Sequence, residues 1–165
     1  HLKLFEEIES SGKDLNLKFY GTRALMSLRL EKNWGAWALD FRPDFTAMES
    51  GLDVFVDWNK DFVGKEASLN EKKRGIKKKL VTMTINTKDI DVTNDEAILK
   101  DNKCVGYITS GGYAHYSKKS MALGYVPIEL SKHETSLDVE INGKLYKAQV
   151  TERPLYDANG GKMKS

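Results

Sequence analysis

The fold is decided by one stretch: Tyr107-Ile108-Thr109-Ser110-Gly111-Gly112-Tyr113-Ala114-His115-Tyr116-Ser117-Lys118-Lys119-Ser120-Met121-Ala122-Leu123-Gly124-Tyr125-Val126. Tyr107 and Ile108 favour extended backbone, and Met121 to Val126 is again extended and apolar. Gly111-Gly112 between them tolerates positive φ, so the string reads as strand, glycine turn, strand. Downstream, Leu137, Val139 and Ile141 alternate with Asp138 and Glu140, and Tyr146, Ala148 and Val150 alternate with Lys147 and Gln149. Asn142-Gly143 joins those two runs as a hairpin turn. Upstream, Val81, Met83 and Ile85 alternate with Thr82 and Thr84. Short half-buried strands punctuated by turns predict an antiparallel barrel or sandwich that runs to Pro154.

Nearer the N-terminus the period becomes helical. Leu4, Phe5 and Ile8 share one face of a helix that ends near Ser10-Ser11-Gly12, and Asp14 to Tyr20 reads as a connection into a short strand before Gly21. Thr22 is placed to cap a second helix. Its Ala24, Leu25, Met26, Leu28 and Leu30 leave Arg23, Arg29, Glu31 and Lys32 as polar exceptions, so burial of most of this helix is expected. Trp34 to Phe45, with Trp37, Asp40 and Arg42-Pro43, is too irregular for one element and too aromatic for a free linker; it is expected to lie across a pocket or interface. Leu52 to Phe55 reads as extended. Ser68 to Glu71 has capping-box spacing and opens a helix that carries Lys72, Lys73, Arg74, Lys77, Lys78 and Lys79, where a domain boundary is placed.

Composition narrows the function classes. The 165 residues, 40% of them apolar, suffice for one sizeable core or two small ones. A net charge of +2, from 26 basic and 24 acidic residues, argues against nucleic acid or an anionic membrane as partner. The basic run is read as a solvated helix face, against attraction of an anionic chain. No segment approaches the roughly 18 apolar residues of a membrane helix. The chain opens on His1 with no export leader, and a piece of a longer polypeptide is expected. Cys104, the single cysteine, excludes an internal disulfide and is read as a structural thiol in a reducing compartment. His1, His115 and His133 lack metal-ligand spacing, so no metal site is expected. Neither a G-x-G-x-x-G nor a Walker loop is present, which speaks against nucleotide-phosphate or FAD binding here.

Five motifs occur in a familiar order. Gly21 to Lys32 resembles G-x-R-A-L-x-S-L-R-L-E-K; Asp40 with Thr46 to Leu52 resembles D-x-x-x-x-x-T-P-x-E-A-G-L; Lys60 to Ala67 resembles K-D-F-I-G-R-E-A. The Tyr107 to Val126 string and Pro154 to Met163 complete the set. Together they resemble the C-terminal part of the glycine-cleavage T-protein (aminomethyltransferase) family, in the form fused to dimethylglycine and sarcosine dehydrogenases. Ala47 stands where the family usually has proline, and Ala38-Leu39 where it has a glycine and a polar residue.

The resemblance implies an α+β fold: a partial α/β folate-binding domain over 1–70, followed by an antiparallel six-stranded Greek-key β-barrel over 71–165. It implies transfer of a one-carbon unit from an aminomethyl or iminium donor to tetrahydrofolate. The donor, a small methylated amine or a lipoyl carrier, is expected to reach the folate through N-terminal parts of the family fold. FAD is expected only in an upstream domain. The family's catalytic aspartate lies upstream too, so no catalytic residue is expected here and the segment alone is expected to be inactive. Arg23 is the expected folate contact, with Arg29 as rival because the alignment is ambiguous by two residues. The competing reading has these arginines pair with Glu31, Asp40 or Glu49 to hold the helix. Trp37 offers a ring for a pterin or benzoate, against simple packing, and Tyr113, His115 and Tyr116 face either the ligand or a barrel corner. A cytoplasmic location is expected, or the mitochondrial matrix in a eukaryote. A homodimer of the segment is a further expectation, because Leu4, Phe5 and Leu17 would otherwise be exposed. The alternatives are a structural or assembly module, and a sulfonium demethylase of the same fold. A relative carrying K-G-C-Y-x-G-Q-E is disfavoured, since Lys60 to Ala67 has no cysteine.

Overall fold

Alternation of apolar and polar residues builds six antiparallel strands: β1 (Lys78–Ile85), β2 (Ala97–Lys100), β3 (Lys103–Ala114), β4 (Lys119–Pro127), β5 (Ser136–Ile141) and β6 (Lys144–Thr151). The computed structural model describes residues 1–151 and 154–164. The strands close into a barrel in the order β1-β4-β3-β2-β5-β6, so β1 is held by β4 on one side and β6 on the other. Every second residue points inward. Met83, Ile98, Ile108, Val139, Ile141 and Val150 meet in the interior, each buried side chain stabilising the fold by about 1.5 to 3 kcal/mol. Asn142 (φ 49) and Gly143 (φ 74) make the β5–β6 turn, both with the positive φ that this hairpin requires.

The glycine pair lies elsewhere than expected. β3 runs straight through Gly111-Gly112, and the chain turns at 115–118, with Lys118 at φ 53. Gly111 serves a close approach: a Cβ there would stand 2.7 Å from the Val92 carbonyl oxygen.

Four helices flank the barrel: α1 (Leu2–Gly12), α2 (Thr22–Glu31), α3 (Lys65–Arg74) and the short α4 (Gly161–Lys164). Several local expectations are corrected. Asp14 to Tyr20 forms a 3-10 turn and then unpaired extended chain, and Leu52 to Phe55 is a turn leading into a 3-10 helix. Gly21, without a side-chain cap, precedes α2 in place of a Thr22 cap. Gly64, at φ 86, precedes α3, so Ser68 and Glu71 lie inside that helix; Gly75, at φ 84, ends it, and Lys78 and Lys79 pass into β1. Finally, α2 buries only Leu30 and Glu31, while Leu25, Met26 and Leu28 are exposed. Cys104 is exposed as well.

Candidate functional site

Helix α2 lies against β3, where the Ser27 hydroxyl donates to the Tyr113 carbonyl at 2.7 Å. Two residues on, Arg29 reaches the centre of a buried network. Its guanidinium donates to Asp40 Oδ2 at 3.0 Å, to Ser110 Oγ at 2.8 Å and to the Trp34 carbonyl at 3.1 Å. The Asp40 side chain is 0% exposed. It also accepts from the Ala36 N–H at 2.6 Å, from Ser110 Oγ at 2.9 Å, and from Thr109 Oγ1. Consecutive strand residues normally face opposite sides of a sheet; here the β3–β4 register shifts between Ile108 and Ser110, and this bulge lets both hydroxyls reach one carboxylate. The main chain at Asp40 is held too, because the Tyr125 hydroxyl donates to its carbonyl at 2.8 Å and lies 2.7 Å from Ser50 Oγ. Burial, reinforced by the nearby Asp40, Tyr107 and Glu49 charges, pushes the Tyr125 phenol up to about 12 against the bond to Ser50. A carboxylate with this many donors orients its surroundings.

A second buried carboxylate fixes the barrel corner. Glu31, 2% exposed, accepts from the Tyr116 N–H at 2.9 Å, the Ser117 N–H at 3.0 Å and Ser117 Oγ at 2.7 Å. Next to it Lys32 bonds the Asp157 carbonyl at 2.7 Å and its carboxylate at 3.3 Å. Desolvation works to raise the Asp157 carboxyl, but the Lys32 hydrogen bond, the Lys162 N–H and the Lys32 charge outweigh it and hold the group below its ordinary value.

These contacts place each expected site residue. Arg29 pairs with Asp40, as the competing reading had it. Arg23 is exposed at the start of α2 and, among the described residues, makes no hydrogen bond or ion pair. Trp37 is 80% exposed, meets Phe41 edge-on and lines a shallow groove with Ala38, Phe41, Arg42 and Pro43 that includes neither Arg23 nor Arg29. Tyr113 and His115 are exposed and in edge contact with centroids 5.1 Å apart, flanking the corner. Trp34, Phe41, Phe55 and His133 line a separate groove of about 840 Å³ between the 33–55 segment and the barrel. The sequence offered Asp40 as one of three possible partners for the arginines and quoted Thr109 and Ser110 without a role. The adjacent hydroxyls in a strand were the available signal, and the bulge that aligns them has none. Among the described residues no group of His, Cys, Asp and Glu gathers as a metal site.

Barrel and network together define a β-barrel with a helical layer pinned to it by buried ion pairing. Two protein families match the chain: the glycine cleavage T-protein C-terminal barrel domain over 78–157, and the GCVT N-terminal domain over 1–60. The chain belongs to the glycine cleavage T-protein family. It is 40% identical over 154 residues to the mitochondrial dimethylglycine dehydrogenase of Homo sapiens, covering 92% of this chain and 18% of that protein. To the aminomethyltransferase of Natranaerobius thermophilus it is 31% identical over 156 residues, covering 93% and 42%. The crystal structure of glycine cleavage system aminomethyltransferase T from Bartonella henselae superposes with a TM-score of 0.85 at 25% identity, covering 93% of this chain and 44% of that one. The chain thus spans less than half the length of each of these relatives. No helix among the described residues is long and apolar enough to cross a membrane.

Proposed function

We propose that this chain is the folate-facing wall and closing barrel of a tetrahydrofolate-dependent one-carbon transferase, in which a methylated amine or a lipoyl-bound aminomethyl group supplies the carbon. The 40% identity to dimethylglycine dehydrogenase, against 31% to an aminomethyltransferase, favours the amine-dehydrogenase type of parent. In that parent the FAD domain and the catalytic aspartate lie outside this chain, and the 165 residues alone do not turn over substrate. The 1–70 unit contributes ligand contacts and the 71–165 unit closes the site. The working location is the cytoplasm, or the mitochondrial matrix in a eukaryote.

The observation that carries the reading is Arg23: an exposed guanidinium without a protein partner, on the helix that the Arg29–Asp40 pair holds in place. Arg23 contacts the folate, Trp37 supplies an exposed ring for stacking, and the Arg29–Asp40 pair holds both α2, which presents Arg23, and the following segment, which carries Trp37. The rival, a purely structural module, draws support from the full engagement of Arg29 with Asp40, Ser110 and Trp34. Anaerobic calorimetric titration of tetrahydrofolate into the chain separates the two. Saturable binding that Arg23→Ala weakens about ten-fold or more, roughly 1.4 kcal/mol, supports the folate wall. Equal affinity in the variant, or none in either, leaves the structural module.

A further inference from the structure

The groove between β1, β4 and β6 is unlike the rest of the surface. It has a volume of about 590 Å³, within the usual range for a small-molecule site, and Lys88, Lys118, Lys119 and Lys147 all line it. No carboxylate is among its lining residues. Lys147 is paired with Asp138 at 2.7 Å; Lys88, Lys118 and Lys119 make no hydrogen bond or ion pair among the described residues. In a chain of near-balanced charge, three lysines without a carboxylate partner around one concavity make a local positive field. A second observation is independent of charge. Ser120, 4% exposed, also lines the groove, and its Oγ is the single buried side-chain polar atom without a hydrogen-bond partner among the described residues. Such a hydroxyl ordinarily has an acceptor. The amide side chains of Asn86 and Gln149 complete a lining suited to multiple anionic oxygens.

We propose that this groove is a binding site for a small oxyanion, a phosphate ester or polycarboxylate, held by Lys88, Lys118 and Lys119 with the Ser120 hydroxyl as a neutral donor. The concave shape fits a small molecule better than a polymer. The site is separate from Arg23 and Trp37 and does not rest on the folate reading.

The test is an amide chemical-shift titration of the full 165-residue chain with inorganic phosphate, pyrophosphate and citrate, at ionic strength held constant with sodium chloride. Saturable shifts centred on 86–88 and 118–120 with at least one probe are expected. Response to the phosphates alone assigns phosphate esters, to citrate alone polycarboxylates, and to both a general oxyanion site. The double variant Lys118→Asn/Lys119→Gln raises Kd at least ten-fold; asparagine is used at 118 because φ is 53 there. Ser120→Ala raises Kd several-fold at unchanged Tm. Should the double variant fail to fold, Lys88→Gln, in an exposed segment, replaces it with the same expected direction. Shifts that never saturate, that centre on 72–79, or that persist at equal affinity in the variants overturn the proposal.

Discussion

Asp40 carries more of this architecture than any other single side chain, since it joins the 33–52 segment, α2 and β3 through one carboxylate. Removing it strands a nearly buried guanidinium. Asp40→Ala is expected to cost about 3 to 5 kcal/mol in urea unfolding, whereas in Arg29→Leu/Asp40→Leu the loss falls short of the sum of the single variants by about 1 to 3 kcal/mol. Tyr125 makes the complementary prediction for pH. Its folded-state phenol is raised to about 12 from 10, so its contribution to stability is intact below pH 10 and is lost as pH climbs through about 12. In an ultraviolet titration one of the seven tyrosines ionises last, and Tyr125→Phe deletes that step. The same variant leaves the Asp40 carbonyl and Ser50 short of a partner, at a cost of about 1 to 3 kcal/mol. Of this network the sequence offered only the arginine–carboxylate pairing, with Glu31 and Glu49 standing beside Asp40 as candidates. Its members are separated by as many as 85 positions, and propensity rules carry no information about which distant hydroxyl will meet which carboxylate.

At the scale of elements, the strands were legible wherever alternation is strict, as in β1, β5 and β6, because a half-buried sheet imposes period two on the sequence. The misplaced glycine turn shows the limit. A glycine marks either a positive φ or a missing Cβ, and the string around Gly111 is compatible with both; only the proximity of Val92 decides. Gly111→Ala therefore tests the second use, with an expected loss of about 1 to 3 kcal/mol from forced displacement of the Val92 backbone. Helices failed at their ends for a related reason. Ser68 and Glu71 have the spacing of a cap, but the positive φ of Gly64 starts α3 earlier and Gly75 stops it. The corner at 115–118 depends on Glu31. In Glu31→Ala the Tyr116 and Ser117 amides lose their acceptor, and their hydrogen exchange is expected to quicken by ten-fold or more with the barrel strands still protected.

For the molecule as a whole, the barrel encloses its own core, while the helical layer leaves apolar side chains exposed. Leu2, Leu4, Phe5 and Ile8 of α1 are exposed, together with Phe19, Leu25 and Leu28, and Phe5 stacks on Phe19 with ring centroids 5.0 Å apart. The sequence showed the apolar stripe of α1 clearly but led to the expectation of a mostly buried α2, because apolar content predicts that a face will be covered and not by what. A second copy of the chain is the expected partner for this face. Sedimentation equilibrium is expected to give a mass that rises with concentration from one chain toward two, and Phe5→Lys and Ile8→Lys are each expected to weaken association by about ten- to a hundred-fold, the equivalent of about 1.5 to 3 kcal/mol per buried side chain. A single-chain mass at millimolar concentration contradicts this. Leu25 and Leu28 stand two and five residues along α2 from Arg23, on the far side of a helix with 3.6 residues per turn, so a dimer formed through their face leaves the proposed folate contact open. The apparent Kd for tetrahydrofolate is therefore expected to be independent of chain concentration, in the parent sequence and in Phe5→Lys alike.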